Sequence, residues 1–270
     1  MFLALREMLF ARTRFLLMSV VLALISLLVV IISDLTAGLV NDGVSGLKAM
    51  DSDVIAFADG TQTDSAFTRS IVDITEADKF ANIDGVEEAA PLGLTIANAH
   101  NQNGKAVDLT LLGVKPGSFI APEGLPEQST IPNGGAPTKT KHEIVVSSTL
   151  QVEGIKEGDT ITIDRLEIPL KVVGFTADQR TFGHVDAAYL PLDVWQEIHA
   201  GARKGEKVSP EAYKEISVIA ARTQDKPDTE ALSDASGLDV RTLKESFDSS
   251  PGYTAEMMTL SMIKWFLYVI

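Results

Sequence analysis

The hydrophobic pattern begins with an uncharged run at residues 15–33, FLLMSVVLALISLLVVIIS, between Arg14 and Asp34. As a helix this run is about 28 Å long, which matches the hydrocarbon core of a bilayer. It is longer than the apolar region of a signal peptide, and the residues after it match a cleavage site poorly. We predict an uncleaved transmembrane helix, with a cleaved signal peptide as the alternative.

A second apolar stretch, MMTLSMIKWFLYVI at residues 257–270, contains one charge, Lys264. Its length as a helix is about 21 Å, which is too short to cross a bilayer. We predict the start of a second transmembrane helix, truncated within the membrane segment of a larger membrane protein. The alternative is a natural C-terminal helix packed on a soluble domain.

The charges near the N-terminus predict the orientation. Arg6, Arg12 and Arg14 outnumber the single acid Glu7, so residues 1–14 are predicted to be a cytoplasmic or interfacial basic segment. Residues 34–256 are then extracytoplasmic. Residues 15–50 are predicted to form the first transmembrane helix and a stalk, although Gly38, Gly43 and Gly46 weaken an unbroken helix.

The ectodomain, residues 51–256, has the pattern of an α+β domain. Residues 54–57, VIAF, predict a buried strand, and Thr75 followed by Asp78 predicts a capped helix start. Residues 51–115 and 208–256 each have the order strand, helix, strand, which predicts a split βαβ layer. Residues 142–200 predict a β-rich subdomain inserted between these halves, opening with HEIVVSSTL as a strand.

Composition excludes several classes of function. The 270 residues contain no cysteine, and residues 33–256 contain 36 acidic and 19 basic side chains, a net charge of −17. A surface this acidic argues against nucleic acid as a partner. The chain has no P-loop, HExxH or GxSxG motif, so we predict no catalytic residue, no metal site and no enzyme activity. The histidines His100, His142, His184 and His199 are widely spaced and are predicted to lie on the surface.

Several segments carry a resemblance to a known family. RTRFLLMSVVLALISLLVV resembles the first membrane helix of MacB/FtsX-type ABC transporter permeases, and EIVVSSTL, GIKEGDTITI, LKVVGFTAD and AAYLPLDVWQEI resemble their β-rich lobe. Residues 34–72 are similar to the DevC/HrtB subgroup, whose HrtB-like members export haem. The resemblance implies a MacB periplasmic-core-like ectodomain on a multi-pass protein of the cell membrane.

The resemblance also implies partners and a mechanism. Such a permease is a homodimer in the lipid bilayer, and a separate ABC ATPase subunit binds ATP and magnesium. This chain itself would bind no cofactor. We therefore expect a permease subunit of an ATP-driven efflux pump that extrudes an amphiphile, with haem as the first substrate to consider.

Haem requires an apolar slot, an axial ligand and partners for its propionates. Candidate residues for this substrate cluster at the outer ends of the two membrane segments: Tyr253, Glu256, Met257, Met258, Met262, Asp34 and Lys264. Lys264 could pair with a propionate or with Asp34, or it could extend toward the outer headgroups. The methionines and the tyrosine could equally be ordinary packing or lipid-facing residues.

Two other functions fit the same pattern. An FtsX-like mechanotransmitter passes ATPase motion to an extracytoplasmic partner without transport, and it would need a binding surface. We predict such a surface as an exposed apolar patch around Phe175, Phe182 and Tyr189. A single-span sensor is the third possibility, and it requires residue 270 to be the natural end.

Overall fold

The structure, a computed structural model, describes residues 12–126 and 142–269, which form two compact units. The first contains the described residues up to 41 together with those from 255 onwards. The second contains residues 42–254 and is called the α+β unit below. Within the predicted loop at 116–141, residues 127–141 lie outside the described residues.

The elements follow one another as short segments after a long first helix. The helices are α1 (Arg12–Asp42), α2 (Ser45–Lys48), α3 (Ala66–Arg69), α4 (Thr75–Phe80), α5 (Ser148–Val152), α6 (Leu192–His199), α7 (Thr229–Ser236) and α8 (Tyr253–Val269), with 3-10 turns at Pro210–Lys214 and Glu245–Ser249. The strands are β1 (Val54–Phe57), β2 (Val72–Asp73), β3 (Val86–Asn101), β4 (Ala106–Val114), β5 (Glu143–Val146), β6 (Thr160–Ile163), β7 (Ile168–Phe175), β8 (Thr181–Phe182), β9 (Val185–Pro191), β10 (Glu215–Ile216), β11 (Val218–Thr223) and β12 (Asp239–Thr242).

The helix α1 is long and apolar enough to cross a membrane, judged by length and composition. Among the described residues it is the one helix that meets both requirements. Its leucine, valine and isoleucine side chains are exposed over most of its length. The helical pattern predicted as far as residue 50 is interrupted by a turn at Gly43 and Val44, and a short helix, α2, follows.

Four strands of the α+β unit form an antiparallel layer in the order β12-β1-β11-β3. The strand β11 lies between β1 and β3, and β1 lies between β11 and β12. The strands β1 and β3, which are connected through α4, are therefore separated in the sheet by β11. The strands β11 and β12, which are connected through α7, are separated by β1. Phe80 of α4 and Leu232 of α7 belong to one buried cluster, which places both helices against the core.

The second half of β3 leaves this layer and enters a closed ring of six strands. The ring runs from β3 through β4, β9, β5, β7 and β6 and back to β3. With 16 residues, β3 spans about 50 Å, so one strand serves both the layer and the ring. The predicted boundary between residues 51–115 and 142–200 therefore crosses a continuous sheet, because β3 and β4 supply two of the ring strands.

The core of the α+β unit contains a tryptophan seated on two glycines. Gly93 and Gly113 lie directly opposite each other on β3 and β4. A Cβ atom at Gly93 would lie 2.1 Å from the Trp195 ring, and one at Gly113 would lie 2.3 Å from the Trp195 Cβ. The indole Nε1 donates a hydrogen bond of 3.1 Å to Thr95 Oγ1. Trp195 is 1% exposed, so α6 docks on the sheet through this contact.

The predicted apolar patch is wrong for two of its three residues. Phe182 is 1% exposed and Tyr189 is 0% exposed, while Phe175 is half-buried. Phe182 packs edge-on against Phe67, with ring centroids 5.4 Å apart. Phe182 and Tyr189 belong to the core because α2, α3 and the 3-10 turn at Glu245–Ser249 contribute buried residues to the same hydrophobic cluster.

Two local signals were also misread. Thr75 is the first residue of α4 and not its cap, since Asp73 Oδ1 accepts hydrogen bonds from Thr75 N at 2.9 Å and from its hydroxyl at 2.6 Å. The predicted strand HEIVVSSTL ends at Val146. The Ser147 side chain then accepts a bond from Thr149 N and caps the short helix α5.

Candidate functional site

The residues predicted to contact haem lie on α8, except for Asp34 on α1. Met257, Met258 and Met262 are 42%, 64% and 65% exposed. Met258 and Met262 are four residues apart and share a face of the helix. Lys264 and Asp34 are exposed as well, and no ion pair joins these two described residues.

Tyr253 and Glu256 are half-buried. The Tyr253 ring packs edge-on against Phe247, with centroids 6.0 Å apart. Tyr253 precedes the predicted membrane segment, and burial raises the pKa of its hydroxyl, with Asp248 adding to the rise. A raised pKa disfavours the tyrosinate form that ligates iron, so the methionines are the stronger candidates on α8.

A second cluster lies where the chain enters and leaves the α+β unit. A two-residue turn joins β8 to β9, and its residues, Gly183 and His184, have φ of 58° and 62°. Positive φ at both positions is typical of the tight hairpin turn that matches the twist of two strands. The His184 ring lies against Gly43, and its Nδ1 is 3.5 Å from Asp42 Oδ2.

Hydrogen bonds join this turn to Asp42, the last residue of α1, and to the residues that follow it. The Thr181 amide donates to Ser45 Oγ at 2.9 Å, and the Thr181 hydroxyl donates to the Asp42 carbonyl. The Gly183 amide donates to the Gly43 carbonyl at 2.8 Å. We call residues 42–46, 181–184 and 250 the clasp.

Ser250 completes the clasp from the other end of the α+β unit. Its side chain is 1% exposed, and its hydroxyl donates to the Gly43 carbonyl at 3.4 Å. Ser250 lies three residues before the start of α8 at Tyr253. One carbonyl oxygen therefore connects the segment after α1, the β8–β9 turn and the segment before α8.

Sequence reasoning missed the clasp, although it contained a partial signal. Gly43 and Gly46 counted only as positions that weaken a helix. In the structure, a Cβ at Gly46 would lie 2.8 Å from the Thr181 carbonyl oxygen, and a Cβ at Gly43 would lie 3.2 Å from the His184 ring. Both glycines permit close approach to the β8–β9 turn, and local propensity does not report such a partner.

Asp186 gives the neighbourhood of the clasp an unusual electrostatic feature. Burial raises the pKa of its carboxyl, the hydroxyls of Thr149 and Ser147 oppose the rise, and the charges of Glu153 and Asp42 add to it. His184, Glu153 and Asp186 line a shallow cleft of 250 Å³. Among the described residues no group of three acids or histidines is placed to hold a metal ion.

The remaining histidines each have a neighbour. His100 Nδ1 lies 2.6 Å from Asp164 Oδ1, and His142 Nε2 lies 2.9 Å from Glu197 Oε2. His199 stacks on Trp195 at 4.5 Å, and burial lowers the pKa of its ring. None of these three rings lies in the clasp.

No protein-family model matches the chain. Among solved structures, it is similar to the extracellular domain of the noncanonic ABC-type transporter YknZ from Gram-positive bacteria, with 13% identity and a TM-score of 0.43, covering 71% of this chain and 99% of that one. It is also similar to the periplasmic region of MacB from Actinobacillus actinomycetemcomitans, with 14% identity and a TM-score of 0.45, covering 76% of this chain and 94% of that one.

A domain of a permease protein from Porphyromonas gingivalis gives similar values, with 13% identity and a TM-score of 0.42, covering 69% of this chain and 81% of that one. At these identities and scores the likenesses leave the family of this chain open.

Proposed function

We propose that this chain belongs to a permease subunit of an ATP-driven efflux system of the MacB/FtsX type. In this proposal α1 anchors the chain in the cell membrane, the α+β unit is extracytoplasmic, and the subunit acts as a homodimer with separate ABC ATPase subunits. The apolar composition of α1 and the segment resemblances given above support the proposal.

The observation that carries the proposal is the shared hydrogen-bond acceptor in the clasp. The Gly43 carbonyl accepts from Gly183 N and from Ser250 Oγ. The two ends of the α+β unit are thereby joined to each other and to one strand turn of its core. We expect a displacement of either end to be transmitted to the other end and to β9, as a domain moved by membrane helices requires.

Haem is the substrate that we propose to test first. Methionine sulfur is a known axial ligand of haem iron, and α8 presents Met257, Met258 and Met262 as exposed side chains. Lys264 supplies a positive charge on the same helix for a propionate. The exposure of these side chains leaves room for a ligand.

Force transmission without transport is the second candidate, and the clasp favours it as much as it favours export. The clasp is characterised by its hydrogen bonds, one His–Asp contact and close glycine packing. None of these features selects a substrate. A chain with the clasp but without a haem site would fit the mechanotransmitter.

A haemin titration separates the two candidates. The chain in detergent micelles is titrated with haemin while the Soret band is followed. It is compared with a triple variant carrying Met257→Leu, Met258→Leu and Met262→Leu. The matched control is Met18→Leu, which changes a methionine of α1 that is 63% exposed. We expect a saturable, shifted band in the wild type and the control, and its loss in the triple variant.

Partitioning of haemin that does not saturate and equals that of empty micelles would refute the haem assignment. The permease proposal would then rest on capture of the ATPase subunit by the tagged chain. Capture of an extracytoplasmic partner, without haem binding, would favour the mechanotransmitter.

A further inference from the structure

A cleft of 470 Å³ lies beside the clasp in the α+β unit. It is next to the clasp along the chain, since Ala49 follows α2 and Arg180 precedes Thr181. Clefts of this size are typical of sites for small organic ligands. Neither the efflux proposal nor the haem candidates on α8 use it.

One wall of the cleft is apolar. Phe119, Pro122 and Phe175 line it with half-buried side chains, and Ile120 beside them is 3% exposed. Exposed Ala177 lies in the same lining. Two aromatic rings and a proline therefore offer apolar surface to a ligand in this cleft.

Arg180 also lines the cleft, held against an aromatic ring and without a counter-ion among the described residues. The Arg180 side chain lies over the Tyr189 ring, 5.5 Å from its centroid, and Nη1 donates to the Tyr189 hydroxyl at 3.4 Å. Within residues 12–126 and 142–269, its buried Nε has no hydrogen-bond partner and no acid forms an ion pair with it.

Arg222 shows the contrasting arrangement close by. Its guanidinium also stacks on an aromatic ring, that of Phe119, at 4.8 Å. It is neutralised by Asp51 at 3.1 Å and by Glu88 at 2.5 Å. Since residues 33–256 have a net charge of −17, an arginine with no acidic partner in the described part of the chain is the less expected case.

We infer that this cleft binds an anionic amphiphile, with its apolar body on Phe119 and Phe175 and its carboxylate or sulfonate on Arg180. The inference rests on the proposed function and deepens it, because it adds a substrate site on the α+β unit to the candidates on α8. An immobilised guanidinium beside an apolar wall gives both orientation and charge selection to such a ligand.

Glu123 offers a second test of the ligand's charge, because this exposed acid lines the same cleft. A carboxylate there repels an anion, so Glu123→Gln should tighten binding of an anionic ligand. A zwitterionic ligand with a cationic group would instead bind more weakly to Glu123→Gln.

Two fluorescent probes that differ in one charge test the site. Anilinonaphthalene sulfonate and the neutral phenylnaphthylamine have the same aromatic body. Each is titrated into the chain in lipid nanodiscs, with empty nanodiscs as the blank. We expect saturable one-to-one binding of the sulfonate, and Arg180→Met should weaken it by about tenfold or more, as for a lost charged hydrogen bond. The same substitution should change phenylnaphthylamine binding by less than about twofold.

A blocking variant keeps the test decisive if Arg180→Met fails to fold. Ala177→Trp should abolish saturable binding of both probes by filling the cleft, whereas Ala235→Trp, at an exposed alanine of α7, should leave both unchanged. Sulfonate binding that survives Arg180→Met or Ala177→Trp, or that weakens in Glu123→Gln, would overturn the inference. The titration uses no ATPase, so it can fail while ATP-driven export stands, and the converse also holds.

Discussion

The helix α1 and the α+β unit place their apolar side chains in opposite environments. In α1, leucines such as Leu16, Leu22 and Leu28 are between 57% and 65% exposed. In the α+β unit, Leu92, Leu109 and Leu111 are 0% exposed. Leucine side chains are therefore exposed along α1 and buried by the surrounding protein in the α+β unit.

This difference indicates which solvent each region requires. An uncovered apolar face as long as α1 is unfavourable in water, so it needs lipid or another apolar surface. The α+β unit buries its own apolar side chains against the four-stranded layer, the six-stranded ring and the glycine seat of Trp195. Substitutions in the two regions test this comparison.

The largest effect on folding stability is expected at the glycine seat. Gly113→Ala should destabilise the α+β unit by about 3 kcal/mol, because its Cβ would lie 2.3 Å from the Trp195 Cβ and the core cannot yield. Thermal unfolding followed by near-ultraviolet circular dichroism measures the change. Gly38→Ala on α1 is the control, since nothing lies within 4 Å of a Cβ there. Equal unfolding temperatures for the two variants would contradict a close-packed seat.

An arginine introduced on each exposed apolar surface should show whether that surface lies in lipid, where the charge is costly, or in water, where it costs little. Leu22→Arg at the middle of α1 should reduce membrane insertion at a cost of about 3 kcal/mol. Val152→Arg, at a residue of the α+β unit that is 87% exposed, should cost less than about 0.5 kcal/mol. The fraction of chain recovered in the membrane measures the first, and thermal unfolding the second. Equal costs for the two substitutions would contradict the comparison.

The clasp should respond to the loss of a single hydroxyl. Thr181→Val keeps the shape of the side chain but removes the donor to the Asp42 carbonyl, at an expected cost of about 1 to 2 kcal/mol. Hydrogen exchange should speed up at the Thr181 and Gly183 amides, which bond across the clasp. Thr68→Val, whose hydroxyl bonds only within its own turn, is the control. Unchanged exchange at both amides would show that the clasp is not a stabilising contact.

The smallest effect is expected at Asp186, where burial raises the pKa above its usual value of 3.8. The Asp186 carboxyl then stays protonated to a higher pH in the folded chain than in the unfolded chain. The free energy of unfolding therefore falls as the pH rises through the pKa that Asp186 has in the folded chain. Asp186→Asn should stabilise the protein by less than about 1 kcal/mol at neutral pH, because the group is partly solvated.

This gain should vanish below about pH 3, where the Asp186 carboxyl is protonated in both the folded and the unfolded chain. Chemical denaturation at the two pH values measures it, with Asp108→Asn at an exposed acid of the same cleft as the control. A loss of stability at neutral pH in Asp186→Asn would contradict the raised pKa.

Much of the local structure could be predicted from residue patterns. The strands at Val54–Phe57 and Val218–Thr223 and the helix at Leu192–His199 coincide with apolar runs and periodicity in the sequence. The capping error at Thr75 arose because Asp73, two residues earlier, offers a better acceptor. Short-range hydrogen bonds of this kind compete, and the pattern alone does not decide between them.

The sites were less predictable. The haem candidates came from residue types at a predicted membrane boundary and stay a prediction. The clasp and the Arg180 cleft each join segments more than a hundred residues apart, such as Ser45 with Thr181 and Ala49 with Arg180. Nothing in the local pattern of either segment identifies its partner.

The sequence by itself determined the apolar run of α1, the acidic charge of residues 33–256, the absence of thiol chemistry and most strands, because these depend on composition and short-range periodicity. Only the tertiary structure decided that β3 serves both layer and ring, that Phe182 and Tyr189 are buried, and that Gly43 and Gly46 lie against the β8–β9 turn. These features depend on which distant segments pack together, and packing depends on the whole chain rather than on neighbouring residues.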